Sequence, residues 1–206
     1  MTSGKHIAYH RLLEAFDQPG CPICELALED ARKQMEWILY ELVNDPGTRK
    51  KIVASLGFCP KHAELFIELG NPLGVSLIYL DVVEAAAADL ERPPRTARSS
   101  AKCPACTWME ESERQHLAVL AKHFDDEKLR GRLLDSRGLC LPHVKRLLAS
   151  LSPPSQGIHK EALQAQFSEL RAELKEIVRK SDYRCVEPWG PEGNAWIRAV
   201  RRLSGK

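Results

Sequence analysis

Four short clusters of cysteine and histidine are the residues of this chain best suited to chemistry. They are Cys21-Pro22-Ile23-Cys24, Gly57-Phe58-Cys59-Pro60-Lys61-His62, Cys103-Pro104-Ala105-Cys106 and Gly138-Leu139-Cys140-Leu141-Pro142-His143. A Cys-x-x-Cys joined to a Cys-x-x-His supplies three thiolates and one imidazole, a full tetrahedral set for zinc. Thirty-four residues separate Cys24 from Cys59, and thirty-three separate Cys106 from Cys140. The nearly equal spacing suggests two sites, each closed within its own copy: Cys21, Cys24, Cys59 and His62, then Cys103, Cys106, Cys140 and His143. The expectation is two zinc ions per chain. Four protein ligands leave no open position for substrate, so the sites read as structural. An iron–sulfur cluster on the same ligands is the second reading. Thiol–disulfide chemistry at Cys-Pro-x-Cys is the third, and it calls for a βαβ context that the chain lacks.

Such ligands need rigid elements to hold them, and the flanking residues supply helix starts. Proline suits the first helical position, where its missing N–H would be unpaired in any case. Backbone N–H groups and the positive end of the helix dipole favour thiolates there. Gly57 and Gly138 suit the left-handed residue that ends the helix before each Cys-x-x-His. The apolar periodicity is helical throughout and predicts helices over 6–17, 25–44, 47–56, 60–69, 73–90, 107–124, 126–136, 141–150, 158–181 and 192–203. Leu163, Phe167, Leu170, Leu174 and Ile177 form a seam fit for packing on another helix.

The copies are offset by 82 residues at the first cysteine and 81 at the third. Glu29 falls opposite Glu111, Arg32 opposite Arg114 and Met35 opposite Leu117, so the chain reads as an internal duplication with units near 21–90 and 103–182. The expected division is an N-terminal helix plus first metal-clamped unit over 1–91, a Pro/Ser/Arg-rich linker over 92–100, and a second unit with a Trp-containing tail over 101–206. The fold class that follows is all-α, two homologous helical units, each clamped by a Cys3His metal site.

Hydrophobic residues make up 44% and charged residues 28%, ordinary for a globular protein, and the net charge of +2 argues against a strong electrostatic grip on nucleic acid or membrane. Seven cysteines without an export signal at Met1–Phe16, six of them in matched ligand patterns, favour metal ligation in a reducing compartment over a disulfide scaffold. A cytoplasmic protein is expected.

Other polar residues have plain structural readings. His6, His10 and Glu14 share one helical face, read as solvated, and Asp81 is read as exposed on the helix over 73–90. His116 and His123 are read at the edge of the core. Cys185, outside the ligand pattern, is read as a buried free thiol. The tail from Pro188 to Trp196 holds two tryptophans, followed by Arg198, Arg201, Arg202 and Lys206. It is read as a segment docking through its aromatics, with a partner surface or pocket rim as the functional alternative. No Gly-x-Gly-x-x-Gly, P-loop, Gly-x-Ser-x-Gly or His-Glu-x-x-His occurs.

The duplicated Cys-Pro-x-Cys and Gly-[Phe/Leu]-Cys-x-x-His pattern resembles an uncharacterised prokaryotic family, a domain of unknown function. The tail from Asp182-Tyr183-Arg184 to Trp196, and Leu39-Tyr40-Glu41-Leu42-Val43-Asn44-Asp45-Pro46, share the likeness. The resemblance spans nearly the whole chain and implies no activity. The functional expectation is a zinc-stabilised helical interaction protein with a protein partner, a weaker case for nucleic acid, and no membrane. The alternative is a metal-dependent or redox enzyme using a cleft between the two units.

Overall fold

Ten α-helices account for the fold of this computed structural model, which describes residues 7–91, 101–136 and 138–205. They are α1 (Ile7–Ala15), α2 (Pro22–Tyr40), α3 (Pro46–Ala54), α4 (Pro60–Glu68), α5 (Pro72–Leu90), α6 (Pro104–Lys122), α7 (Glu127–Asp135), α8 (Leu141–Leu148), α9 (Pro153–Lys180) and α10 (Ala195–Ser204). A 3-10 turn over Pro191–Asn194 leads into α10. No strand occurs among the described residues, and the protein is all-α. None of the described helices is long and apolar enough to cross a membrane. The linker expected at 92–100 and the His6 end of the polar stripe lie outside the described residues.

Proline at the first turn organises most of these starts. Pro46, Pro60, Pro72 and Pro153 all stand there, capped by Asp45, Cys59, Asn71 and Ser152. Asp45 Oδ2 accepts from Thr48 N at 2.7 Å, and Asn71 Oδ1 accepts from Gly74 N at 2.9 Å, each satisfying an orphan donor. The structure moves three helix starts ahead of those the apolar periodicity predicts. Ser152-Pro153-Pro154, which separates elements in the sequence reading, instead opens α9, because Ser152 caps and both prolines fit the first turn. Likewise α2 and α6 begin at the proline inside each Cys-Pro-x-Cys, so Cys24 and Cys106 belong to the first helical turn.

Two compact units result, and neither equals a sequence repeat. One comprises Met1–Leu26 with Glu113–Lys206, the other Ala27–Ser112. The chain passes between them within α2 and within α6.

In the first unit, Tyr9, Leu12, Ile23, Leu120, Leu129, Leu133, Leu139 and Leu147 form the centre of the core, all at or below 1% exposure. Tyr9 satisfies its hydroxyl on Asp126 Oδ1 at 2.7 Å, and its ring meets His123 edge-on at 5.4 Å. Buried His116 and half-buried His123 thus border this core, as their spacing suggests. The α9 seam packs on α10, with Leu163 buried and Phe167, Leu170, Leu174 and Ile177 half-buried.

In the second unit, Met35, Ile52, Phe66 and Ile78 are sealed, with Phe58 tilted against Phe66 at 4.8 Å between ring centres. α3 packs on α5. Asp81 is not simply a solvated residue. Arg49 Nε and Nη2 donate to its two carboxylate oxygens, both at 2.6 Å, a fork that ties α3 to α5.

His159 is buried at 3% exposure, edge-on to Phe124 at 5.9 Å, with neither ring nitrogen hydrogen-bonded. Burial, aided by the Arg202 charge, pushes its pKa down to about 4. The unfolded chain binds this proton near pH 6.5 and the folded chain does not, so stability falls as pH drops from about 6.5 towards 4. At pH 5 the penalty is about 2 kcal/mol. His159→Phe is expected to remove that loss. Melting curves of the wild type and the variant should converge at pH 7.5 and separate by several degrees at pH 5.

Candidate metal centres

The eight ligand residues gather into two groups, each held entirely within one compact unit. The first group is Cys21, Cys24, Cys140 and His143, and the second is Cys59, His62, Cys103 and Cys106. In each group all ligand atoms lie within 4.8 Å of one another. The pairing differs from the sequence expectation. Cys21 and Cys24 do not join Cys59 and His62, and Cys103 and Cys106 do not join Cys140 and His143. Each Cys-x-x-Cys is completed by the Cys-x-x-His of the other repeat. The reason lies in the duplication: both half-sites of one kind carry the same ligands at the same helix position, so either partner satisfies the coordination. Core packing selects between them.

Every ligand sits at or beside a helix start. Cys21 immediately precedes α2 and Cys24 lies in its first turn, with Cys103 and Cys106 placed alike on α6. Cys59 and Cys140 are the N-caps of α4 and α8, with φ/ψ of −65/160° and −66/156° and no side-chain cap hydrogen bond, so their sulfurs are free for ligation. Gly57 (φ 90°) and Gly138 (φ 71°) take the left-handed conformation that turns the chain into each Cys-x-x-His. His62 and His143 follow one turn later, each 3% exposed.

The distances match a tetrahedron around one ion. With sulfur about 2.3 Å and nitrogen about 2.0–2.1 Å from a metal, tetrahedral edges are about 3.8 Å for S–S and about 3.6 Å for S–N. In the first group, Cys24 Sγ lies 3.8 Å from Cys140 Sγ. His143 Nδ1 lies 3.4, 3.5 and 3.1 Å from Cys21, Cys24 and Cys140 Sγ. In the second, Cys59 Sγ lies 3.7 Å from Cys106 Sγ, and His62 Nδ1 lies 3.2, 3.7 and 3.4 Å from Cys59, Cys103 and Cys106 Sγ. Nδ1 is the inward nitrogen in both groups. No cysteine is in a disulfide. Both groups could hold a metal ion.

Electrostatics point the same way. Burial and the adjoining Cys59 and Cys103 push the Cys106 thiol up to about 12. Three thiolates crowded together need a cation to remain ionised.

The outward nitrogens distinguish the two groups. His143 Nε2 lies 3.3 Å from Glu113 Oε2. Arg146 Nη1 donates to the same carboxylate oxygen at 2.5 Å. The His143 contact, then Arg146, hold the Glu113 carboxyl below its ordinary range against the opposing effect of burial. This is a carboxylate–histidine arrangement of the kind that fixes ring orientation and strengthens a ligand. His62 Nε2 instead faces Met109 Sδ at 3.0 Å, a weak acceptor. Burial, then the Lys61 charge, lower the pKa of His62. Glu113 carries no motif in the sequence. Glu113→Gln is expected to weaken metal affinity of the first group about 10–100-fold while leaving the second unchanged. Competition with a chromogenic chelator measures both.

Other residues noted in the sequence do not converge on either centre. His10 and Glu14 are exposed. Cys185 is half-buried rather than buried, with Arg179 Nη1 4.0 Å from its sulfur. Trp189 and Trp196 are each 57% exposed, so the tail does not dock through them. It docks through Ala195 (0% exposed) and polar ties instead. Lys180 Nζ meets Glu192 Oε1 at 2.8 Å, and Arg198 Nη2 meets Glu173 Oε2 at 2.6 Å. Ion pairs from α9 to the 3-10 turn and to α10 take the place of aromatic burial here.

Fold and ligand sets together define an all-helical protein with two four-residue groups suited to a metal ion. The chain belongs to a family of unknown function, DUF6062, whose model matches it twice, over residues 5–94 and 84–206. The double match agrees with the internal duplication. An uncharacterized 23.9 kDa protein in the xynA 3' region of Caldicellulosiruptor sp. (strain Rt8B.4) is 26% identical, the similarity covering 94% of this chain and 99% of that protein. No solved structure matches the chain.

Proposed function

We propose that both groups hold zinc in closed structural sites and that the protein acts as a zinc-stabilised helical interaction module. The observation that carries the metal reading is the single-ion tetrahedral spacing of each Cys3His set. Clusters distribute their ligands over several iron atoms, which calls for wider separation than one tetrahedral edge, so the short edges favour a single ion. Four protein ligands per ion leave no vacant position for a substrate. That supports a structural role over the metal-dependent or redox alternative.

An exposed apolar face supports a binding surface on the tail. Trp196, Val200 and Leu203 follow at i, i+4 and i+7 on α10 and are 57, 62 and 54% exposed. That spacing forms one apolar helix face of the kind that enters a groove on a partner. Tyr183 and Val186 are exposed nearby in sequence. The proposed partner is a protein. Nucleic acid fits less well, because the aromatic–basic pattern of single-strand binding is sparse in the tail. Capture of partners from cells of the source organism tests this, comparing wild type with Trp196→Asp. A partner lost at least tenfold on Trp196→Asp, with melting temperature and metal content unchanged, is the expected result. Identical capture by both chains would count against the tail as the surface.

A further inference from the structure

Arg202 is a half-buried cation with no carboxylate partner among the described residues. Its Nη2 donates to Gln166 Oε1 at 2.6 Å, and its Cζ lies 5.6 Å from the Phe167 ring centre. Its Nη1 is buried and meets no hydrogen-bond acceptor. Arg202 lines one cavity together with Cys21 and Cys140, two ligands of the first metal group. The backbone is shaped around this contact. Gly138 has φ 71°, and a Cβ there would overlap the Arg202 guanidinium. Gly205, the residue after α10, has φ 76°. A Cβ on it would lie 3.4 Å from Cys140 Sγ and 3.7 Å from Cys24 Sγ. The end of α10 therefore rests on the thiolates of the first group.

The geometry points to Arg202 as the counter-charge and positioning residue of the first metal centre, coupling the docking of α10 to retention of the ion. This rests on the metal reading above. A divalent ion with three thiolates and a neutral imidazole carries one excess negative charge. The guanidinium carries one positive charge. Each alone is costly in a low-dielectric surrounding, and together they compensate. Coupling of this kind is reciprocal: whatever the ion gains from a docked α10, the docking gains from the ion. The second centre has no buried counterpart among the described residues, since Lys61, the cation that reaches His62, is exposed. Met109 stands behind His62, and Cys59, Cys103 and Cys106 are all partly exposed, so water screens that charge. One structural consequence follows. A cavity of about 530 Å3 has Cys21 and Cys140 in its lining opposite Asn194, Ile197 and Arg201 of the tail. Its wall persists only while α10 is docked.

The test follows zinc release from the full chain into excess chromogenic chelator. Release should occur in two phases, and the first-centre phase is the one missing in Cys140→Ser. Arg202→Met is expected to speed that phase at least tenfold and leave the other unchanged. Arg202→Lys should restore part of the difference, which a purely steric role would not. Cobalt-substituted Arg202→Met should show a shifted thiolate-to-metal absorption band. Hydrogen exchange on the wild type supplies a check that needs no variant. Protection of Ala195–Ser204 should be lost on chelation ahead of that in α9. Release from Arg202→Met at the wild-type rate, or α10 protection indifferent to chelation, overturns the inference while leaving the metal reading intact. A wild-type chain that holds no metal overturns that reading and the inference with it.

Discussion

A chain carrying both Cys21→Ser and Cys59→Ser is expected to retain no tightly bound metal, whereas one carrying Cys21→Ser and Cys140→Ser retains one ion. The two pairs differ only in which group the second cysteine belongs to. Cys21 and Cys140 share a tetrahedron, so the second substitution removes nothing that the first had not already spoiled. Cys21 and Cys59 belong to different tetrahedra, so both are broken. Each single change should cost several kcal/mol, because loss of a metal site ranks among the largest effects of one substitution. Stability should show the same asymmetry. The Cys21/Cys140 pair should be strongly non-additive, and the Cys21/Cys59 pair close to additive. Elemental analysis after dialysis, together with denaturant titration, measures both quantities. Closure within each repeat predicts the opposite metal counts: one ion for Cys21/Cys59 and none for Cys21/Cys140.

Metal removal from the wild type should have the second large effect. Structural zinc of this kind contributes about 10 kcal/mol or more of binding free energy. That is comparable to the whole stability of a typical domain. Each compact unit contains one group and joins segments distant in sequence through it: α2 to α8 in the first, α4 to α6 in the second. Without the ion, a cluster of unlinked thiols replaces that tie. Treatment with a strong chelator is therefore expected to lower the melting temperature by at least about 15 °C, taking roughly 2–4 °C per kcal/mol for a chain of this size. Circular dichroism should show a substantial loss of helix at 37 °C, reversed by restoring zinc. Melting unchanged by complete metal removal would show that the cores alone hold the fold.

Much of this architecture is legible in the residues. Ten helices follow from apolar periodicity, and most of their starts from proline and capping side chains, because these signals are local, while α9 opens at a Ser-Pro-Pro that reads as a breaker. The eight ligands were identifiable for the same reason. Cysteine and histidine at Cys-x-x-Cys and Cys-x-x-His spacing already define half of a tetrahedron each. The partnership between halves was not legible. Two equivalent donors and two equivalent acceptors allow either pairing, and only the packing of Ile23, Leu139 and Leu147 in one core, and of Phe58, Phe66 and Ala105 in the other, distinguishes them. Long-range polar partners were hidden as well. Glu113 and Arg202 resemble ordinary surface charges until the fold sets Glu113 against His143 and brings Arg202 into one cavity lining with Cys21 and Cys140. The same holds for Asp81, whose partner Arg49 lies on a different helix. Conversely, Trp189 and Trp196 suggest burial by composition, yet ion pairs and Ala195 do the docking and leave the tryptophans outward.

The most direct measurement of the central claim is metal content per chain by elemental mass spectrometry, taken with the visible spectrum of anaerobically purified protein. Two zinc ions per chain and a colourless solution are the predicted result. Iron with absorbance near roughly 400 nm, or a folded chain free of metal, would contradict it.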